Sequence, residues 1–143
     1  MKRKLLILAL GILFLIIISW LGTTLTEILP ARPSAPVQTA STGPYQITMR
    51  VDPNPPPTTK PATLTLQIVH SSTRQLVTNA RVVVESNMET MDMGTDVANA
   101  QSQSNGMYSA PVQFSMNGTW QVRVIVTVPG AKTESATFEV VAH

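Results

Sequence analysis

The chain has 143 residues, enough for one domain of roughly 100 residues and a targeting segment. It contains no cysteine, so disulfides, thiolate metal sites and a lipid-anchored cysteine are excluded. The net charge of +2 comes from the N-terminus, because from Ala31 onward seven basic residues balance seven acidic residues. We therefore expect no binding of nucleic acid, which requires a positively charged surface.

An apolar segment follows three basic residues at the start of the chain, Lys2, Arg3 and Lys4. The segment from Leu5 to Leu21 carries no charge, and as a helix it would span about 26 Å, the short end of a transmembrane span. We predict a membrane anchor within residues 1–29, with an extracytoplasmic remainder because basic flanks stay in the cytoplasm. A cleaved signal peptide is the alternative, although the apolar run is slightly long and no clean small-x-small site follows it.

Residues 30–43 are rich in proline, with alanine, serine and threonine between the prolines. This composition is typical of a spacer that buries no core, so we predict a linker that holds the domain away from the membrane. A second proline cluster, DPNPPPTTKP, lies between two strand-like runs, and we interpret it as a loop inside the domain.

Within residues 44–143, apolar residues alternate with polar residues, as they do in half-buried β-strands. The alternating runs are YQITMRV, TLTLQIVH, ARVVVES, MYSAPVQFSM, TWQVRVIVTV and ATFEVV. Asn117-Gly118 and Pro129-Gly130 predict a hairpin between the runs that flank each of them. We predict an all-β domain, an immunoglobulin-like two-sheet β-sandwich of six to seven strands, with Trp120 as a core anchor.

Several sequence features between about Pro61 and Val141 resemble the YtkA-like family, which is related to the FixH-like proteins. They are Ala80 before the valine run, Met88 to Met93, Gly106-x-Tyr108 and Phe114-x-Met116-x-Gly118-x-Trp120. The resemblance implies an exported or membrane-anchored β-sandwich. Such domains are often associated with copper handling and with the assembly of copper-containing oxidases. The resemblance thus implies copper as a ligand and an envelope or respiratory membrane protein as a partner. Family members often carry histidine in the methionine-rich segment, whereas METMDMG has none.

The segment SNMETMDMGTD contains three methionines in an acidic, turn-rich stretch. A thioether is a soft, neutral ligand that suits Cu(I) better than Zn(II) or Mg(II). Met91 and Met93 are two residues apart and would point the same way in an extended chain. We predict a shallow Cu(I) site from this pair, with a further ligand from across the rim of the fold. The candidates for that ligand are Met88, Met116, Met107 and His70.

Other interpretations of the same residues remain open. Met88 and Met116 occupy positions of their predicted strands that alternate in step with the inward-facing residues, so they also fit a role in the core. His70 fits a strand-end residue, and His143 a frayed terminus. Met91 and Met93 also fit a lid over the open end of the fold. The alternative function is a metal-free structural or interaction module of the cell envelope. An enzyme is not expected, because no residue motif places a base beside a nucleophile and no phosphate-binding glycine loop occurs.

Overall fold

The structure is a computed structural model that describes residue 7, residues 10–19 and residues 34–143. Residues 10–19 are helical and belong to a first unit, whereas all the strands belong to a second unit. None of the helical residues described forms a helix that is long and apolar enough to cross a membrane. The predicted anchor, Leu5 to Leu21, extends beyond the described residues, so the anchor stays a prediction.

Eight antiparallel β-strands form the second unit. They are β1 Val37–Thr42, β2 Tyr45–Asp52, β3 Ala62–His70, β4 Arg81–Met88, β5 Asp96–Ser102, β6 Met107–Val112, β7 Gly118–Thr127 and β8 Glu134–Ala142. They pair as one sheet in the order β1-β2-β3-β6-β5-β4-β7-β8. The sheet curls until its first and last strands meet, where the Gln38 Nε2 atom donates a hydrogen bond to the Glu139 carbonyl oxygen at 2.6 Å. The fold is therefore close to a closed barrel.

The alternating runs of the sequence form the interior of this barrel. The apolar residues at alternate positions of β2, β3, β4, β6, β7 and β8 are buried. Trp120 is buried among them and packs edge-to-face on Phe114, with 5.5 Å between the ring centroids. The predictions of an all-β fold and of Trp120 as a core residue are both confirmed. Burial of these apolar side chains is the main stabilising contribution to the fold.

The strand count and the sheet arrangement differ from the prediction of a two-sheet sandwich with six to seven strands. The structure has eight strands in one sheet, and the two additional strands are β1 and β5. β1 includes residues 37–42, which the sequence placed in the linker, and β5 lies in what reads as a loop. Neither strand contributes a fully buried residue, so neither shows the apolar alternation by which strands are recognised.

The two predicted hairpins have different outcomes. β7 and β8 are antiparallel neighbours joined at Pro129-Gly130, where the Ala131 amide donates to the Val128 carbonyl oxygen at 3.0 Å. This hairpin is confirmed. The hairpin at Asn117-Gly118 is wrong, because β6 pairs with β3 and β5 while β7 pairs with β4 and β8. The connection after β6 instead crosses from one part of the sheet to another.

The strand register assigns every connection to one of two ends of the barrel. Residues 53–61, 89–95 and 113–117 lie at one end, which we call the methionine end. The opposite end holds residues 43–44, 71–80, 103–106 and 128–133. β3, for example, begins at the methionine end with Ala62, opposite Val112, and finishes at the opposite end with His70, opposite Tyr45.

Candidate functional site

The methionine-rich segment is the connection between β4 and β5, which we call the methionine loop (residues 89–95). It is fastened to β7 because the Glu89 amide donates to the Thr119 carbonyl oxygen at 3.0 Å. Within the loop, the Met93 amide donates to the Met91 carbonyl oxygen at 3.1 Å, and the Gly94 amide donates to Asp92 Oδ1 at 3.3 Å. The chain from Met91 to Met93 is thus a tight turn rather than the extended segment that the sequence suggested.

The methionine loop leaves its thioethers accessible. Met91 is 52% exposed and Met93 is 53% exposed, although both are large apolar side chains. A surface depression of about 270 Å³ lies inside the loop, and its lining includes Met88, Met91, Glu89 and Asp92. Soft sulfur and carboxylate oxygen therefore border the same small space. The depression is shallow, which suits a ligand that arrives from and leaves to solvent.

Met88 forms part of the core beneath this loop. It is 8% exposed and stands opposite Trp120 in the β4–β7 register. Its methyl carbon lies so near Gly118 that a Cβ atom at that position would come within 2.7 Å of it. The core interpretation of Met88 is confirmed, and its side chain also reaches the floor of the depression.

Met116 lies at the same end, on the connection between β6 and β7. β6 ends at Val112, so Met116 is outside the strand in which the sequence placed it. Its carbonyl oxygen accepts a hydrogen bond from the Trp120 indole nitrogen at 3.0 Å, which fixes the backbone of this connection on the core. The Met116 side chain itself is exposed, unlike the inward-facing residue that strand parity predicted.

His70 is not brought together with the methionines. It ends β3 at the opposite end of the barrel, where its ring lies 5.3 Å from the ring of Tyr45. Its carbonyl oxygen accepts from the Arg74 amide at 2.8 Å, so the residue opens a tight turn. β3 has nine residues, and at about 3.3 Å per residue its two ends are roughly 26 Å apart. Met107, at the start of β6, also lies at the opposite end.

His143 is instead the histidine at the methionine end. It follows Ala142, which pairs with Gly118, and its amide donates to the Pro56 carbonyl oxygen at 3.1 Å. The His143 side chain is exposed. The sequence suggested a frayed terminus for this residue. Counting the residues of β8 against β7 would have placed it near the methionine loop, but that count requires knowing that the two strands pair in this register.

The donors at the methionine end include four thioethers, beside the carboxylates of Glu89 and Asp92. Among the described residues, no group of three or more histidine, aspartate or glutamate side chains is arranged to hold a metal ion. Met91, Met93, Met116 and Met88 all belong to the methionine end, although only Met88 and Met91 line the depression itself. Thioethers fit a soft monovalent ion, whereas hard divalent ions prefer oxygen ligands.

Comparison with known protein families identifies the domain. The family model described as YtkA-like matches residues 39–125, which is more than half of the chain and extends from β1 into β7. The chain belongs to the YtkA-like family. A search of curated proteins found no match. The relation to the FixH-like proteins stays a prediction.

Several of the residues that carry the resemblance to the YtkA-like family have structural roles here. The Tyr108 hydroxyl donates to the Val77 carbonyl oxygen at 2.8 Å and accepts from the Ala80 amide at 3.1 Å, which holds the β3–β4 connection. Gly106, with φ 76°, supplies a backbone conformation that other residues rarely adopt. Phe114 and Trp120 pack on each other in the core. These residues therefore stabilise the fold, whereas Met91, Met93 and Met116, which also carry the resemblance, are exposed.

Proposed function

We propose that this YtkA-like domain is extracytoplasmic, is held at the membrane by the apolar segment Leu5 to Leu21, and binds Cu(I) weakly at its methionine end for delivery to a membrane oxidase. Met91 and Met93 are the main ligands in this proposal, with Met88, Met116 and His143 as further donors. His70 has no part in the site, because it lies at the opposite end of the barrel. No catalysis is proposed.

One observation carries the proposal. The methionine loop leaves the side chains of Met91 and Met93 half-exposed to solvent, whereas Met88, at the end of the strand that leads into the loop, is buried in the core. Exposing two methionines forgoes the stabilisation that burial of each side chain would supply, about 1.5 to 3 kcal/mol. A soft-metal ligand role requires this exposure, whereas a lid role requires the side chains to cover the core.

The shape of the site favours transfer of a Cu(I) ion to a partner over storage of the ion. A deep, closed site holds its metal with a complete ligand set, whereas the depression here is small and bordered by side chains that solvent reaches. Neutral thioethers bind Cu(I) without losing a proton, so the methionine ligands themselves add no pH dependence to the affinity for Cu(I). Glu89 and Asp92 place negative charge beside the ion and favour the approach of a cation.

The proposal is tested by titrating the full-length chain, in detergent and without oxygen, with Cu(I) against a competing chelator. The variant Met91→Leu with Met93→Leu keeps bulk and apolarity but removes both sulfur atoms, and each such exchange usually costs less than about 1.5 kcal/mol of stability. We expect the dissociation constant for Cu(I) to rise at least about tenfold, which corresponds to about 1.4 kcal/mol.

The matched control is Met107→Leu, the same exchange at the opposite end of the barrel, and it should leave the Cu(I) affinity unchanged. Equal dissociation constants for the double variant and the parent would reject the methionine ligands and support the lid interpretation. A His143→Ala variant separates a mixed sulfur and nitrogen site from an all-sulfur one, because only the mixed site weakens when the imidazole is removed.

A metal-free interaction module is the second candidate function, and a different part of the molecule favours it. Residues 96–100 of β5 pair with β4 but not with β6, and Val97 is exposed, which are features of strands that pair with other chains. This candidate is compatible with copper binding, because the two surfaces use different residues.

A further inference from the structure

β5 and β6 are neighbours in the sheet, but they remain paired only near their connection. Gln101 stands opposite Ser109 and Ser102 opposite Tyr108, and there the pairing stops. On its other side, β5 pairs with β4 from Asp96 to Ala100. Residues 96–100 therefore have a strand along one edge and none along the other. We call this the open edge of β5.

An open edge of this kind exposes backbone hydrogen-bonding groups. In an antiparallel ladder, successive residues direct their N–H and C=O groups alternately to one neighbour and to the other. Two or three of residues 96–100 must therefore direct these groups away from β4, toward the space that β6 leaves. These groups are a template on which an extended chain can pair.

The space beside the open edge is a cleft of about 350 Å³ between the diverging strands. β4 and β5 line one side with Val84, Asp96 and Val97, and β6 lines the other with Pro111 and Val112. Pro111 has no N–H group, so this residue adds no backbone donor to the β6 side of the cleft. An incoming chain would therefore pair with β5 rather than with β6.

The open edge lacks the devices with which soluble proteins usually protect their edges. β5 has the sequence DVANAQS, without lysine or proline, and Val97 is 62% exposed. The other two edge strands of the sheet, β1 and β8, are bridged to each other by the hydrogen bonds of Gln38 to Glu139 and of Thr42 to Glu134. The edge of β5 is thus the least protected edge within residues 34–143.

Two polar residues of the cleft indicate what it would hold. Ser86 is the one buried polar or charged residue among those described, and it interrupts the apolar row of β4 where that row lines the cleft. A hydroxyl group at this depth favours an occupant with polar groups of its own, such as a peptide main chain. Asp96 lines the same cleft and adds a carboxylate, which favours a basic residue in the occupant.

From these observations we propose that the open edge of β5 binds an extended segment of a partner protein, which adds to the sheet as a strand in the cleft between β5 and β6. The segment carries small apolar side chains at alternate positions and a basic residue beside Asp96. A second copy of this chain does not fit, because its own β5 is flanked by β4 and the β6 wall blocks the other side of the cleft. The inference is independent of copper binding.

The test uses the full-length chain in detergent micelles and a short synthetic peptide in which valine alternates with threonine after an N-terminal lysine. Two N-methylated forms of the peptide, one modified at the valines and one at the threonines, each block one edge of the extended peptide. We expect saturable binding of the unmodified peptide, measured by fluorescence anisotropy. One methylated form should bind at least about tenfold more weakly while the other is unaffected. Hydrogen exchange of the amides of residues 96–100 should slow when the peptide binds.

Matched valine variants complete the experiment. Val97→Lys puts a charged side chain on the open edge, and Val37→Lys changes a similarly exposed valine, 50% exposed, on β1. The first should weaken binding at least about tenfold and the second should leave it unchanged. The proposal is overturned by equal effects of the two methylated peptides, by binding that survives Val97→Lys, or by no saturable binding up to about 1 mM. Self-association that Val97→Lys abolishes would assign the edge to a second copy and overturn the partner assignment.

Discussion

Gly118 shows how one residue joins the methionine loop to the core. Its φ of 140° lies in a region that favours glycine, and an added Cβ would come within 2.7 Å of the Met88 methyl carbon. We expect Gly118→Ala to lower the free energy of unfolding by about 2 to 4 kcal/mol, because backbone strain adds to a displaced core side chain. Chemical denaturation followed by circular dichroism measures the loss.

Gly94 is the control for this prediction. It also has a positive φ, 85°, but no atom lies within 4 Å of an added Cβ. Gly94→Ala should therefore cost only the strain, about 1 to 2 kcal/mol. Shortening the neighbour with Met88→Val should reduce the cost of Gly118→Ala, since the two side chains would no longer collide. An unchanged cost in the Met88→Val background would show that the contact has no energetic weight.

The methionines could be assigned from the sequence only in part. Strand parity correctly placed Met88 inside, because the alternation of β4 continues to its last residue. The same argument predicted an inward-facing Met116, which is wrong. β6 ends at Val112, and side chains in a loop do not alternate between two faces. The exposure of Met91 and Met93 follows from the turn that Asp92 and Gly94 form, which is a local signal that sequence reasoning can read.

Among the connections, the one between β3 and β4 is held by a side-chain hydroxyl group as well as by backbone hydrogen bonds. The Tyr108 hydroxyl bonds both the Val77 carbonyl oxygen and the Ala80 amide, although Tyr108 belongs to β6. Tyr108→Phe should cost about 1 to 3 kcal/mol of unfolding free energy, because it leaves two backbone groups without this partner. Hydrogen exchange of the Ala80 amide should be faster in Tyr108→Phe than in the parent.

The control is Tyr45→Phe, which changes a tyrosine that is equally buried and lies against His70. A loss of unfolding free energy as large as that of Tyr108→Phe would contradict the role assigned to the two hydrogen bonds of Tyr108.

The strands that could be predicted are those with one face buried in the core and the other face exposed to solvent. Six of the eight show alternation, and all six occur in the structure. β1 and β5 could not be found in this way, because VQTAST and DVANAQS each contain a single valine among small or polar residues and so show no apolar alternation. Their place in the sheet is decided by backbone pairing with β2 and β4, a long-range property that leaves little trace in local composition.

Strand neighbours were harder to predict than the strands themselves. Asn117-Gly118 has the composition of a hairpin turn, yet it joins two strands that do not pair. The same difficulty affected the prediction that His70 is a ligand beside the methionines. The alternation of a strand indicates which face of the sheet a residue occupies, but it does not indicate at which end of the barrel the residue lies. A candidate site that combines residues from several strands therefore requires the register, which no single-sequence pattern supplies.

At the scale of the whole molecule, the open question is how the strand domain is attached. The basic N-terminus and the apolar run from Leu5 to Leu21 predict a retained anchor. Mass spectrometry of the intact mature protein from membranes should therefore find this segment still attached. A mature N-terminus anywhere between Gly22 and Val37 would contradict the anchor and indicate a cleaved signal peptide.

The meeting of β1 and β8 has a consequence for how the chain can be rearranged. The Val141 amide donates to the Ser34 hydroxyl oxygen at 3.2 Å, so the beginning and the end of the strand domain lie side by side. A short connector could join them, and the chain could then be opened in the exposed methionine loop to give a circular permutant with the same seven strand pairings. In such a permutant the thioethers would flank the new termini, and β8 would run directly into β1.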